Sequence, residues 1–318
     1  MIAALVRRAC RINGATCGAA RVRTILSGPA IFLLAAAGKP PQPSGELVLD
    51  AANPVILVHI ADVAVRLRVD LDQQDSVELD PAVAARLPVA WEAGMEMDVG
   101  RVRLPGRVAR APMRVGSQVL PVQLSEHGRH CCQHWDGAIG PNLLPYAIVR
   151  WRRADAPAAN GSRSYPIVDN AMTGLSATAE RAPLRLRFAL TQPQTVGTAA
   201  AGAILAREFG GHWQGEAGRV TLAFDISRPA RDIAFNSPAR LAGFRFDSLL
   251  VRTSDFAGSE QLPTERIDPG DVVITRHLQR QQAWPAVTLG VEHLARCAEL
   301  TYTALPRTLK LRCAFDPS

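Results

Sequence analysis

No stretch of the 318-residue chain offers the roughly 20 consecutive apolar residues that a membrane-spanning helix needs; the longest apolar run, Ile25 to Ala37, stops well short. There is no Gly-x-Ser-x-Gly elbow of the kind that exposes a nucleophilic serine between a strand and a helix. No Cys-x-x-Cys pair is present, which removes the commonest zinc and dithiol spacings. Acidic residues are missing from the first 37 positions, which hold Arg7, Arg8, Arg11, Arg21 and Arg23. Those five arginines account for five units of the formal +7 charge and leave +2 on the rest. A near-neutral body attracts phosphate weakly, so no nucleic-acid partner is expected.

What is present describes a globular, exported protein. Hydrophobic residues make up 47% and charged residues 20%, a composition able to build a core, and the length suffices for two domains of ordinary size. Arg21 and Arg23 precede the run Ile25 to Ala37, and Ala35-Ala36-Ala37 precede Gly38. A basic flank, an apolar middle and a small-residue exit make a signal peptide. Residues 1–37 are therefore read as a leader, with the mature chain beginning near Gly38 and no stable membrane insertion after its removal. The expected location is periplasmic or secreted. Residues 38–45, with Pro40, Pro41 and Pro43, form a spacer. The remaining cysteines, Cys131, Cys132, Cys297 and Cys313, are even in number, which suits an oxidising compartment. A hairpin around Ala304-Leu305-Pro306 that sets Thr303 opposite Arg307 and Thr301 opposite Leu309 also sets Cys297 opposite Cys313, and predicts a disulfide. Cys131 and Cys132 are then free or joined to each other.

Along the chain, 24 glycines and 23 prolines punctuate short apolar runs, which favours strands over helices. Val48 to Val69 and Met97 to Leu124 read as paired strands. Between them, Asp80 can cap and Pro81 can open a short helix reaching Leu87. The turn-rich stretch 153–183 reads as a connection between an N-terminal lobe, 46–152, and a C-terminal lobe, 184–318. Two segments recur in order. Arg66-Leu67-Arg68-Val69-Asp70-Leu71-Asp72-Gln73 matches Arg185-Leu186-Arg187-Phe188-Ala189-Leu190-Thr191-Gln192, and each is followed by an Ala-rich helical stretch, Pro81 to Leu87 and Ala199 to Phe209. Downstream, Asp136-Gly137-Ala138-Ile139-Gly140-Pro141-Asn142-Leu143-Leu144 matches Ala286-Val287-Thr288-Leu289-Gly290-Val291-Glu292-His293-Leu294. Two copies of one unit imply two similar lobes.

This order resembles the pepsin and retropepsin superfamily of aspartic proteases, over about residues 46 to 315. There a strand runs into Asp-Thr/Ser-Gly, and a later apolar-apolar-Gly strand passes beside that turn. Ala138-Ile139-Gly140 and Thr288-Leu289-Gly290 look like the second element. The resemblance implies an all-β fold with short helices: two similar β-barrel lobes with a cleft between them. The catalytic turns are degenerate. Asp72-Gln73-Gln74 stands in the first copy and Thr191-Gln192-Pro193 in the second. The family's chemistry divides labour between two facing carboxylates whose mutual repulsion separates their pKa values, and only Asp72 supplies one. No acid lies between Leu184 and Arg207 to replace Thr191. Asp70 and Asp75 flank Asp72 and read as solvated surface residues.

The sequence thus predicts a weak or inactive peptidase that binds extended peptides in its cleft without a cofactor. Asp72 and the degenerate Thr191 occupy the catalytic positions, with Gln73, Gln74 and Gln192 beside the ligand. An active endopeptidase using Asp72 is one alternative. Another is a metal-binding protein using His127, His130, Cys131, Cys132 and His134, which are ligand types at close spacing.

Overall fold

The computed structural model describes residues 42–73, 75–99, 102–132, 134–168, 176–178, 184–253 and 284–317. Residues 1–37, which the sequence reads as a leader, and Gln74 lie outside the described residues. The chain passes in order through β1 (Glu46–Asp50), β2 (Val55–Ile60), β3 (Val63–Val69), β4 (Val77–Leu79), helix α1 (Pro81–Ala84), β5 (Glu92–Val99), β6 (Val102–Val115), β7 (Gln118–Glu126), β8 (Gly137–Ile139) and β9 (Ile148–Arg152). It continues through β10 (Gly161–Pro166), β11 (Ser176–Thr178), β12 (Arg185–Phe188), β13 (Val196–Gly197), helix α2 (Ala199–Phe209), β14 (Gly211–Thr221), β15 (Ser227–Leu241), β16 (Phe244–Arg252), β17 (Ala286–Leu289), helix α3 (Val291–Leu294), β18 (Cys297–Ala304) and β19 (Arg307–Cys313). The fold is all-β with short helices, and no helix among the described residues is long and apolar enough to cross a membrane.

The internal repeat becomes a duplicated sheet. One seven-stranded sheet has the order β2-β3-β8-β4-β7-β6-β5, and the other β11-β12-β17-β13-β16-β15-β14. Each position of the first has its counterpart in the second, and the strand directions agree. β3 runs parallel to β8 as β12 does to β17, and β4 parallel to β7 as β13 does to β16. β4 is antiparallel to β8 as β13 is to β17. In the first half β2 also pairs with β6, which closes six strands into a barrel. Alternation drives this packing: along β3, Val65, Leu67 and Val69 are fully buried while Ala64 and Arg66 face outward.

A third sheet joins the halves. Its order is β1-β9-β18-β19-β10, with β1 parallel to β9 and the other pairs antiparallel. Trp151 of β9 and Tyr302 of β18 are buried here, and one continuous core runs from Leu49 to Phe315 through all three sheets. Burial pushes the Tyr302 hydroxyl up to about 12.

Local expectations fare unevenly. Helix α2 covers the anticipated Ala199–Phe209, capped by Thr198, whose Oγ1 accepts from the Ala201 amide at 3.1 Å. Helix α1 is shorter than expected, ending at Ala84, though Asp80 caps it as anticipated by accepting from the Ala82 amide at 3.0 Å. The 297–313 hairpin is one residue out of the expected register. Ala304 faces Arg307 and Thr303 faces Thr308, around a two-residue turn at Leu305 and Pro306. An irregularity between Cys297 and Glu299 absorbs the slip, so Cys297 still faces Cys313 and the two are disulfide-bonded.

Candidate functional site

Two equivalent turns follow β3 and β12. At the end of each strand the chain keeps one more bond to its parallel neighbour: Asp70 N donates to the Ile139 carbonyl at 2.9 Å, and Ala189 N to the Leu289 carbonyl at 3.0 Å. The turns then fold over the glycines of the second motif. A Cβ on Gly140 would collide with the Gln73 carbonyl oxygen and Asn142 Oδ1, and one on Gly290 would lie 2.6 Å from the Gln192 carbonyl oxygen. Beyond each turn a buried hydroxyl fastens the chain. Ser76 Oγ shares a 2.8 Å hydrogen bond with Ser125 Oγ, and Thr195 Oγ1 accepts from the Gly290 amide at 3.0 Å. Trp151 of the shared sheet braces the first turn, its Nε1 donating to the Val69 carbonyl at 3.2 Å.

The side chains at the two turns differ. Asp72 is partly buried, and its carboxylate pairs with Nη2 of Arg187, which comes from β12 of the other half. Burial pushes the Asp72 carboxyl above its ordinary value; the Arg187 guanidinium opposes this, while the Asp70 charge adds to it. Asp70 departs from its reading as a solvated residue: it is 3% exposed. It accepts from Arg68 Nε at 3.2 Å and from the Asp72 amide at 3.1 Å, since β3 has already ended at Val69 and the chain turns inward. Asp75 is exposed, in the left-handed region at φ 64°.

Thr191 is exposed, and among the described residues no hydrogen bond joins it to Asp72. Gln73 is occupied locally, its Nε2 donating to the Ser76 carbonyl at 3.1 Å, and Gln192 Nε2 donates to the Thr221 carbonyl at 3.2 Å. Sequence reasoning missed Arg187. Its guanidinium lies over the Trp284 ring at 5.6 Å, with Nε buried and unpartnered. The signal was available in the repeat, which aligns Arg187 with Arg68 and Ala189 with Asp70.

No family model and no curated protein matches the chain. Among solved structures, EIAV protease complexed with the inhibitor HBY-793 aligns at 14% identity, over 29% of this chain and 85% of that one, with a TM-score of 0.22. The two like halves stand on strand order instead.

The His and Cys cluster divides among separate tasks. His127 is buried and shares its Nδ1 with both oxygens of buried Glu78 at 3.0 Å, while Ser125 Oγ donates to the same carboxylate at 2.6 Å. His130 is exposed and sits 2.7 Å from Asp80, a hydrogen bond that raises the imidazole's pKa. Cys131 and Cys132 are joined to each other, which removes both thiolates as ligands. No group of three or more metal-ligating side chains gathers among the described residues.

Beside this loop the halves touch again. Phe224 and Ile226, at the end of the β14–β15 hairpin, form a small apolar cluster with Leu104 of β6, flanked by Met97, Val99, Val102 and Cys131. Phe224 meets the His127 ring edge-on at 5.6 Å. Chemically, the described site offers one carboxylate paired with a guanidinium and no second acid across from it.

Proposed function

We propose that this protein is an exported member of the aspartic-protease superfamily that binds extended peptides between its halves and cleaves them weakly or not at all. The observation that carries the reading is the pairing of Asp72 with Arg187, while Thr191 and not an acid stands at the position equivalent to Asp72. A carboxylate held by a guanidinium cannot share a proton with a facing acid, and that sharing is what generates the acid and base of the reaction. Asp72 acting alone as a base would supply about 10²–10⁴ in rate, short of the 10⁶ or more usual for an enzyme. Peptide binding has separate support. β5 and β14 each stand at an edge of their sheet, and an extended ligand can add to such edges through main-chain hydrogen bonds that need no catalytic pair. Export rests on the leader, and N-terminal sequencing of protein from its native host should find Gly38 or a near neighbour first.

The test is a peptidase assay on unfolded protein substrates at acid pH, with and without a pepstatin-like inhibitor, beside an anisotropy titration with unstructured peptides. Binding without turnover is expected. Efficient digestion that Asp72→Ala abolishes would overturn the inactive reading.

A further inference from the structure

The two halves treat the same arginine differently. Arg68 on β3 and Arg187 on β12 hold equivalent positions, each paired in register with the residue before the apolar-Gly step, Ala138 and Thr288. Two residues after Arg68 stands Asp70, buried and 3.0 Å from the guanidinium, so Arg68 is satisfied within its own half. Two residues after Arg187 stands Ala189, equally buried at 3% and with nothing to offer a cation. Arg187, only 19% exposed, pairs with Asp72 instead. A largely buried guanidinium without an anion is costly, and Asp72 is the carboxylate within reach.

We propose that Arg187 is a positioning residue that holds the Asp72 carboxylate in an ion pair across the two halves, and that it crosses because Ala189 stands where the first half has Asp70. The inference deepens the reading of an inactive cleft and rests on it for the position of Asp72, but not on peptide binding. It makes the inactivity doubly determined: Thr191 withholds the second acid, and Arg187 occupies the first. The charged groups facing Asp72 are Arg187, Asp70 and Arg68, and only Arg187 comes from the opposite half.

The experiment follows the carboxyl carbon of Asp72 by NMR through an acid titration of the full chain, in the natural protein, in Ala189→Asp and in Arg187→Met. Ala189→Asp gives Arg187 an anion in its own half, as Asp70 serves Arg68. Arg187→Met removes the cation but keeps an apolar stem against Trp284. Both should move the Asp72 midpoint upward by about 1–3 pH units, the usual effect of losing an adjacent arginine. A purely structural role for Arg187 would change thermal stability and leave that midpoint in place. A midpoint that stays within about 0.3 pH units in Arg187→Met overturns the proposal. A shift in Arg187→Met with none in folded Ala189→Asp overturns the part assigned to Ala189. If Ala189→Asp does not fold, Arg187→Met still decides the pairing, and Asp70→Ala tests the Ala189 step from the other side. With its own acid gone, Arg68 should turn toward Asp72 and lower the midpoint beyond the drop that loss of the Asp70 charge alone produces, which Asp70→Ala in an Arg68→Met background measures; equal drops in the two backgrounds overturn that step. Peptide affinity is a separate measurement, and its failure would leave these outcomes standing.

Discussion

Gly140 and Gly290 are required by space and not by conformation. Their φ values, −74° and −94°, suit any residue. What excludes a side chain is the turn carbonyl lying over each Cα. Alanine would drive a methyl into a backbone oxygen that is itself held by the turn, so the two segments must part. Gly140→Ala and Gly290→Ala should each cost roughly 1–3 kcal/mol, read from the midpoint of chemical denaturation. Gly218, whose added Cβ would find only the Ala230 carbonyl oxygen at 3.9 Å, should tolerate alanine within about 0.5 kcal/mol. Equal losses at all three positions would contradict the steric account. At this scale the sequence was partly legible. The apolar-apolar-Gly pattern marked both glycines, and the repeat placed Asp72 and Thr191 at equivalent points. It could not show that Asp70 is buried, because whether an acid beside a turn faces water depends on where the strand stops. Nor did it show Arg187 beside Asp72, since that contact joins residues 115 apart.

Among the elements, the β14–β15 hairpin carries an uncommon turn. Phe224 and Asp225 have φ of 59° and 53°, in a region disfavoured for side chains with a Cβ. The burial of Phe224 and Ile226 against Leu104 offsets that cost. The cluster is separate from the main core, so its loss should act locally. Phe224→Ala removes about 1.5–3 kcal/mol of apolar burial. It should raise hydrogen exchange at residues 97–99 and 102–104 by about tenfold or more, with protection of β9 and β18 unchanged. Loss of protection throughout would mean that the contact belongs to the core after all. Helix α1 was readable because Asp80 carries the cap chemistry in its own side chain, and α2 because its stretch is rich in alanine. The 297–313 hairpin was read one residue out because a bulge leaves no mark in local composition. The disulfide survived the error because the bulge restores the register at Cys297.

For the whole molecule, the duplicated strand order was foreshadowed by the drifting repeat, whereas the joining sheet had no signature, since its strands come from three distant stretches of chain. Asp316 ties that sheet to the second half. Its carboxylate meets both Arg296 amino nitrogens, at 2.9 and 3.0 Å, and accepts from the Arg245 amide at 2.8 Å. The Arg296 hydrogen bonds hold this carboxyl below its ordinary value. A folded-state value below the unfolded one stabilises the protein fully above about pH 3.9, and that contribution is lost as pH falls through the folded value. Asp316→Asn should therefore cost about 1 kcal/mol at neutral pH, allowing for solvent screening. The gap from the natural protein in thermal midpoint should close between about pH 4 and pH 2; a gap constant across that range would refute the linkage. The joining sheet also sets a timetable for synthesis. Trp151 waits for its cross-strand neighbour Leu300, and at about 5–20 residues per second that wait lasts roughly 7–30 s. Until residue 313 has left the ribosome, β18 and β10 lack the strand that lies between them. Through that interval the nascent chain holds a large indole and an open edge of β9 without cover, so the joining sheet is the last part of the fold to be completed.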